Sequence, residues 1–158
     1  MKVQFSPAGI GLGHVARCAP IAKALLQKET DAQVLFSTYT DGVVYARQEG
    51  FPYARAPPIG FKVRPDGTVD FKQTVANPEL FLASFKLLRQ IGAEVRIMQH
   101  FKPDVVVSDT RVSPLAAARL LRIPRLCILN QFQIIIPRRK HFLRLAKFAD
   151  IIGLAMIG

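Results

Sequence analysis

Tryptophan is absent, cysteine occurs twice, and no apolar run is long. Cys18 and Cys127 lie in opposite halves of the chain, so it has neither a CxxC redox pair nor a zinc-ligand spacing. Both read as reduced core residues. The longest apolar stretch, Ile151 to Ile157, falls far short of the roughly 18 to 20 residues that cross a bilayer. The opening MKVQFSPAGIG lacks the apolar core of about 7 to 15 residues found in a secretory signal, which makes a cytoplasmic location the expectation. Acidic residues are scarce, 11 against 22 Lys and Arg, for a formal charge of +11. Such an excess points to an anionic partner without naming it.

What is present describes a globular chain. With 158 residues, 50% of them hydrophobic and 21% charged, it fits one domain, and a disordered or low-complexity segment is excluded. A domain of this size buries roughly two thirds of its unfolded surface and needs no disulfide or metal staple. The basic excess is concentrated: from Thr110 to Ala149 there are nine basic residues and no acidic one.

Short β-branched or aromatic runs alternate with longer helical patterns, as in a parallel sheet covered on both faces. Strands are expected at Lys2–Ser6, Gln33–Thr38, Pro52–Ala56, Asp104–Ser108, Leu126–Asn130 and Asp150–Leu154. Helices are expected near His14–Gln27, Gly42–Gln48, Pro78–Phe101, Pro114–Leu121 and Arg138–Phe148. The class is α/β, a Rossmann-like, doubly wound parallel sheet of about six to seven strands in a single domain. Pro57 to Asp70, broken by Pro57, Pro58, Gly60, Pro65 and Gly67, reads as a long functional loop. The ending IIGLAMIG reads as a strand just begun, as at a domain boundary.

The sharpest local feature is Ser6-Pro-Ala-Gly9-Ile-Gly11-Leu-Gly13-His14, between the first strand and the first helix. Glycines there permit a tight turn and close approach of a ligand, and free N–H groups at the helix start favour an anion. It is not a Walker loop, since no Gly-Lys-Ser/Thr follows. It also departs from the dinucleotide fingerprint, because Ser37-Thr38-Tyr39 stands where an acidic residue belongs. A tight turn with no ligand remains the alternative.

The wider string GIGLGHVARCAPIAKAL resembles the opening of the GT-B glycosyltransferases, in the branch of the lipid-intermediate N-acetylglucosaminyltransferase of peptidoglycan synthesis and its archaeal relatives. Lys102-Pro-Asp104-Val-Val-Val-Ser108-Asp109, Ser113-Pro-Leu-Ala-Ala-Ala118, Arg122-Ile-Pro124 and Leu129-Asn130-Gln131 are similar to that family's fourth and fifth strand region. The resemblance implies an N-terminal acceptor domain over residues 1–158, with the donor-binding second Rossmann-like domain absent. It implies no cofactor beyond a nucleotide-sugar donor substrate, UDP-linked. It also implies a donor domain elsewhere as partner.

Glycosyl transfer to a hydroxyl needs a base, and neutral imidazole suits that role near neutral pH. His14 stands at a loop mouth where such a base belongs. Asp109 follows the fourth strand, at the edge of the switch-point crevice. The resemblance implies His14 as base and Asp109 as its orienter; the alternative is that each caps a helix or turn. Gly9, Gly11, Gly13, Ser113, Asn130 and Gln131 are the candidate substrate-binding positions, with Thr110 a weaker one. Strand-end residues that satisfy loop backbone groups are the alternative for the last two. No His, Cys or carboxylate cluster has metal spacing, so no metal is expected.

Lys140, Arg144 and Lys147 fall on one face of the expected Arg138–Phe148 helix. Arg138 and this face are either solvated or turned to anionic lipid or a lipid-linked diphosphate, peripheral on the membrane's inner side. The helix Pro78–Phe101 is apolar around more than one face, which suits either core packing, the favoured reading, or contact with an acyl chain. A nucleotide-sugar hydrolase is the rival within the superfamily, because Gly-His-Val-Ala-Arg-Cys is also similar to the opening of the hydrolase of pseudaminic acid synthesis. A basic nucleic-acid-binding module is the rival from another class. It is disfavoured because there is no Trp and no interleaving of aromatic and basic residues.

Overall fold

The computed structural model describes residues 1–58 and 79–129, with the backbone alone for 79–84. The described elements are β1 (Lys2–Pro7), α1 (Gly13–Lys28), β2 (Gln33–Thr38), α2 (Asp41–Gln48), β3 (Tyr53–Arg55), α3 (Glu79–Phe101), β4 (Val105–Asp109), α4 (Val112–Leu120) and β5 (Arg125–Ile128). Their five strands form one parallel sheet in the order β3-β2-β1-β4-β5. The expected α/β parallel architecture holds, with five strands among the described residues against the six to seven anticipated for the chain. The expected sixth strand at Asp150–Leu154, the Arg138–Phe148 helix and most of the Pro57–Asp70 loop lie outside the described residues.

Successive strands run outward on one side of β1 and then resume on the other with β4. The carboxyl ends of β1 and β4, paired from Val3↔Val105 to Pro7↔Asp109, therefore flank the switch point where ligands collect in such sheets. Asp104 stays outside β4, where its carboxylate accepts the Lys2 N–H at 2.7 Å.

The two faces of the sheet differ in chemistry. In β1, Val3 and Phe5 turn toward α1 and α2, where Val15, Cys18, Ala19, Ala22, Phe36 and Phe51 complete an apolar core. Phe36 stacks on Phe5 with centroids 5.4 Å apart and meets Phe51 at 4.6 Å. Each fully buried Phe contributes roughly 1.5–3 kcal/mol by transfer from water. The alternate β1 positions, Gln4 and Ser6, are buried as well and belong to a polar interior, in which Gln4 Nε2 donates to Glu94 of α3 at 3.0 Å and to Ser6 Oγ at 3.1 Å. A smaller apolar cluster of Met98, Val106, Ala117 and Ala118 lies beside it. Core packing accounts for part of α3: Met98, Ile91 and Val95 join that cluster. The helix buries Gln90 and Glu94 while Phe85 and Leu88 are 64% and 65% exposed.

Candidate functional site

After β1 the chain must turn sharply and start α1 without crossing β2. Gly9 makes this possible, since a Cβ there would run into the backbone of Tyr39. Gly11 has φ +67°, in the left-handed region that glycine occupies without strain. A Cβ on Gly13, by contrast, would meet nothing within 4 Å. The loop is tied to the β2–α2 turn: Gly9 O accepts from Thr40 Oγ1 and from Asp41 N, and Gly11 N donates to Asp41 Oδ2 at 3.0 Å. The Gly11 N–H expected to be free for an anion is thus occupied by a carboxylate of the chain itself.

Helix α1 opens at Leu12 with no side-chain cap, so His14 is not a capping residue. Val15, Cys18, Ala19 and Ala22 recur at helical spacing and bury one stripe of α1. That arrangement turns the neighbouring positions His14 and Arg17, one turn apart, toward the mouth between β1 and β4. There His14 Nδ1 lies 3.0 Å from Asp109 Oδ1. Arg17 holds the same carboxylate with two donors, Nε to Oδ2 at 2.8 Å and Nη2 to Oδ1 at 2.7 Å. Thr110 Oγ1 donates to Asp109 Oδ1 at 2.8 Å, and Thr110 takes φ 61°, unusual for a β-branched residue. Its N–H donates to Ile128 O at 3.1 Å, which fixes the turn against β5.

The Asp109 side chain is fully buried, whereas those of His14 and Arg17 are 26% and 30% exposed. Burial alone would push the Asp109 carboxyl up. Hydrogen bonds from Arg17, His14 and Thr110, with the charge of Arg17, outweigh it and hold the group below the usual carboxylate range. The bond to Asp109 raises Arg17 in turn. An ionised carboxylate only accepts hydrogen bonds, so Nδ1 of His14 carries a proton toward Asp109, and Nε2 is the ring nitrogen left for another partner. Asp109 is thereby too enclosed and too well coordinated to take a proton from an outside hydroxyl. Cys18, behind the carboxylate at 3.9 Å, is pushed up to about 12 by burial and by Asp109, so its thiol stays protonated.

The other expected site residues fare differently. Ser113 is buried, and its hydroxyl donates to Gln90 Oε1 inside the polar interior, away from the crevice. Asn130, Gln131, Arg138, Lys140, Arg144 and Lys147 lie outside the described residues. Arg17 was not among the expected site residues, although its place three residues after His14 in one helix was a signal for it. Beside the glycine loop, Tyr39, Thr40, Val43, Val44, Arg55, Ala56 and Pro58 line a cleft of about 350 Å³. Among the described residues, no group of three or more His, Cys, Asp or Glu stands where it would hold a metal ion.

No protein-family model matches the chain. It is 31% identical over 133 residues to an uncharacterized glycosyltransferase of Methanosarcina mazei, covering 83% of this chain and 33% of that protein. It is 32% identical over 134 residues to the UDP-N-acetylglucosamine–N-acetylmuramyl-(pentapeptide) pyrophosphoryl-undecaprenol N-acetylglucosamine transferase of Protochlamydia amoebophila, covering 78% and 31%. Among solved structures, MurG of Acinetobacter baumannii superposes with a TM-score of 0.60 at 26% identity, over 81% of this chain and 35% of that one. The chain spans about a third of the length of these relatives. Agreement in sequence and in fold makes the chain a member of the GT-B glycosyltransferases.

Proposed function

We propose that the chain is the acceptor-side, N-terminal domain of a nucleotide-sugar glycosyltransferase that moves a hexose or N-acetylhexosamine onto a hydroxyl. The observation that carries this reading is the 3.0 Å contact between His14 Nδ1 and a buried, ionised Asp109 at the β1–β4 mouth. His14 Nε2 accepts the hydroxyl proton as the acceptor oxygen bonds to the anomeric carbon, and the sugar's bond to the nucleoside diphosphate breaks. The diphosphate leaves with that electron pair. Asp109 stabilises the imidazolium that forms. The donor nucleotide is held by a second domain, in the same parent chain or a separate subunit, and UDP is the nucleotide favoured by the relative from Protochlamydia.

The acceptor is lipid-linked in this reading, and the protein works peripherally on the cytoplasmic face of a membrane. Exposed Ile10 and Leu12 on the glycine loop offer apolar contact beside the base. On α3, exposed Phe85 and Leu88 alternate with the cations Lys86 and Arg89, a pattern suited to an anionic bilayer surface. No described helix is long and apolar enough to cross a membrane.

The test is turnover of radiolabelled UDP-sugars with a lipid-diphosphate acceptor, by the 158-residue chain alone and after joining to a donor-binding half. The chain alone should be inactive and the joined enzyme active. Turnover by the isolated chain refutes the division of labour, and release of free sugar without acceptor makes the enzyme a hydrolase.

A further inference from the structure

His14 and Arg17 compete for one carboxylate, and its two oxygens are loaded unevenly. Oδ1 is approached by Arg17 Nη2 at 2.7 Å, Thr110 Oγ1 at 2.8 Å and His14 Nδ1 at 3.0 Å; Oδ2 takes Arg17 Nε at 2.8 Å. Arg17 Nη2 also lies 3.3 Å from His14 Nδ1. With Nδ1 protonated toward Oδ1 that approach is not a bond, whereas a bare Nδ1 would accept from Nη2. The approach places a permanent cation against the imidazole.

The groups around this cluster come from every element packed on it. Helix α1 supplies Arg17 and Cys18, β4 supplies Asp109, the following turn supplies Thr110, and β5 supplies Cys127. Both thiols are pushed up and stay neutral. Asp41 of α2 is engaged with Gly11 N, on the outer side of the glycine loop. The charge beside His14 is therefore set by Arg17 and Asp109, which cancel. Without the guanidinium, Oδ1 would keep only Thr110 and His14, and Oδ2 only the Cys18 thiol at 3.9 Å, so the plane of the carboxylate would lose its fixed setting against Nδ1.

We infer that Arg17 is a positioning residue that grips Asp109 in a two-point fork and so holds Oδ1 against His14 Nδ1, which fixes the ring tautomer with its proton on Nδ1. Lysine supplies charge but not the fork, so it is not an equivalent replacement. The role in transfer rests on His14 being the base, as proposed above; the effect on the ring does not.

Long-range ¹H–¹⁵N correlation spectra of the ¹⁵N-labelled 158-residue chain at pH 7 report which ring nitrogens carry protons. The His14 signals are identified by their loss in His14→Gln. The parent should show a protonated Nδ1 and a bare Nε2, and a parent ring protonated at Nε2 alone overturns the inference without any variant. In Arg17→Gln and Arg17→Lys, both without the fork, the tautomers should be mixed, with a substantial share protonated at Nε2. An Arg17→Gln spectrum matching the parent, with native backbone amide shifts, also overturns it. In the joined enzyme, Arg17→Gln should lower kcat at least tenfold at pH 7. Normal ring behaviour without sugar transfer would sink the function and leave Arg17's role intact; active transfer with an unmoved ring would do the reverse.

Discussion

Arg111 Nη2 lies 2.6 Å from Glu94 Oε1, and the two side chains are 3% and 0% exposed. Arg111 follows the turn that carries Asp109 and Thr110, while Glu94 sits in the middle of α3. The pair is built into a wider set of bonds: Arg111 Nη1 donates to Ser37 O at 2.7 Å, and Ser37 Oγ donates to Glu94 Oε1 at 2.7 Å. Through it α3, β2 and the β4–α4 turn are held together, and Asp109 inherits a fixed backbone.

Breaking this pair from one side should be costly. Glu94→Ala leaves a guanidinium buried without its counter-charge, an effect of about 3–5 kcal/mol. Glu94→Leu with Arg111→Met, which removes both charges, should recover much of that loss. Chemical denaturation of the three proteins checks the order. A single variant as stable as the parent would mean that water reaches the pair.

The glycines of the loop should separate by cause. Gly9→Ala drives a methyl into the Tyr39 backbone and should lose roughly 1–3 kcal/mol, in the range of overpacked sites. Gly11→Ala meets no neighbour but takes a left-handed φ, at a cost of about 1 kcal/mol. Gly13→Ala should leave the melting temperature unchanged, since its Cβ enters open space at the first turn of α1. Thermal denaturation ranks them, and a Gly13 variant as unstable as Gly9→Ala contradicts the geometry.

In the joined enzyme, His14→Ala should lower kcat by roughly 10²-fold or more, the range for a lost general base, with little change in melting temperature. Steady-state kinetics with saturating acceptor decide this. A near-normal rate would remove His14 from the chemistry.

Asp109 should leave its mark on acid stability. Its carboxyl is held below the unfolded value of about 3.9, so near that pH the native state binds fewer protons than the unfolded one. The stabilisation is present above about pH 4 and is lost as pH falls through the lower native value. Asp109→Asn lacks this contribution and leaves Arg17 without its carboxylate. The variant should melt lower than the parent at pH 7, and the gap should narrow between about pH 4 and pH 2. A constant gap over that range would show that the carboxylate's ionisation is not what stabilises the fold.

The order of elements was legible in the sequence because each is a local pattern. β2 matched its expected bounds, and α1, α2 and α3 fell within a residue of theirs, since apolar periodicity and the flanking Gly, Pro and Asp are short-range signals. The glycine loop and the position of His14 at its end were readable for the same reason. That Asp109 would stand beside His14 was expected from the strand order and the family resemblance, whereas the contact itself and Arg17 as its third member came from the tertiary structure. Asp109 is 95 positions from His14 and 92 from Arg17, and only the parallel pairing of β1 with β4 brings them to one mouth. Ser113 shows the converse, a plausible helix-start ligand that the packing of α4 against α3 turns inward to Gln90. Hydrophobicity told only part of α3: Met98, Ile91 and Val95 pack in an apolar cluster, but a strand face bearing Gln4 and Ser6 needs polar partners and takes Gln90 and Glu94 inward, while Phe85 and Leu88 stay outside. A buried polar group must find its hydrogen bonds wherever the fold supplies them, and that condition is set by neighbours distant in sequence, which no local pattern encodes.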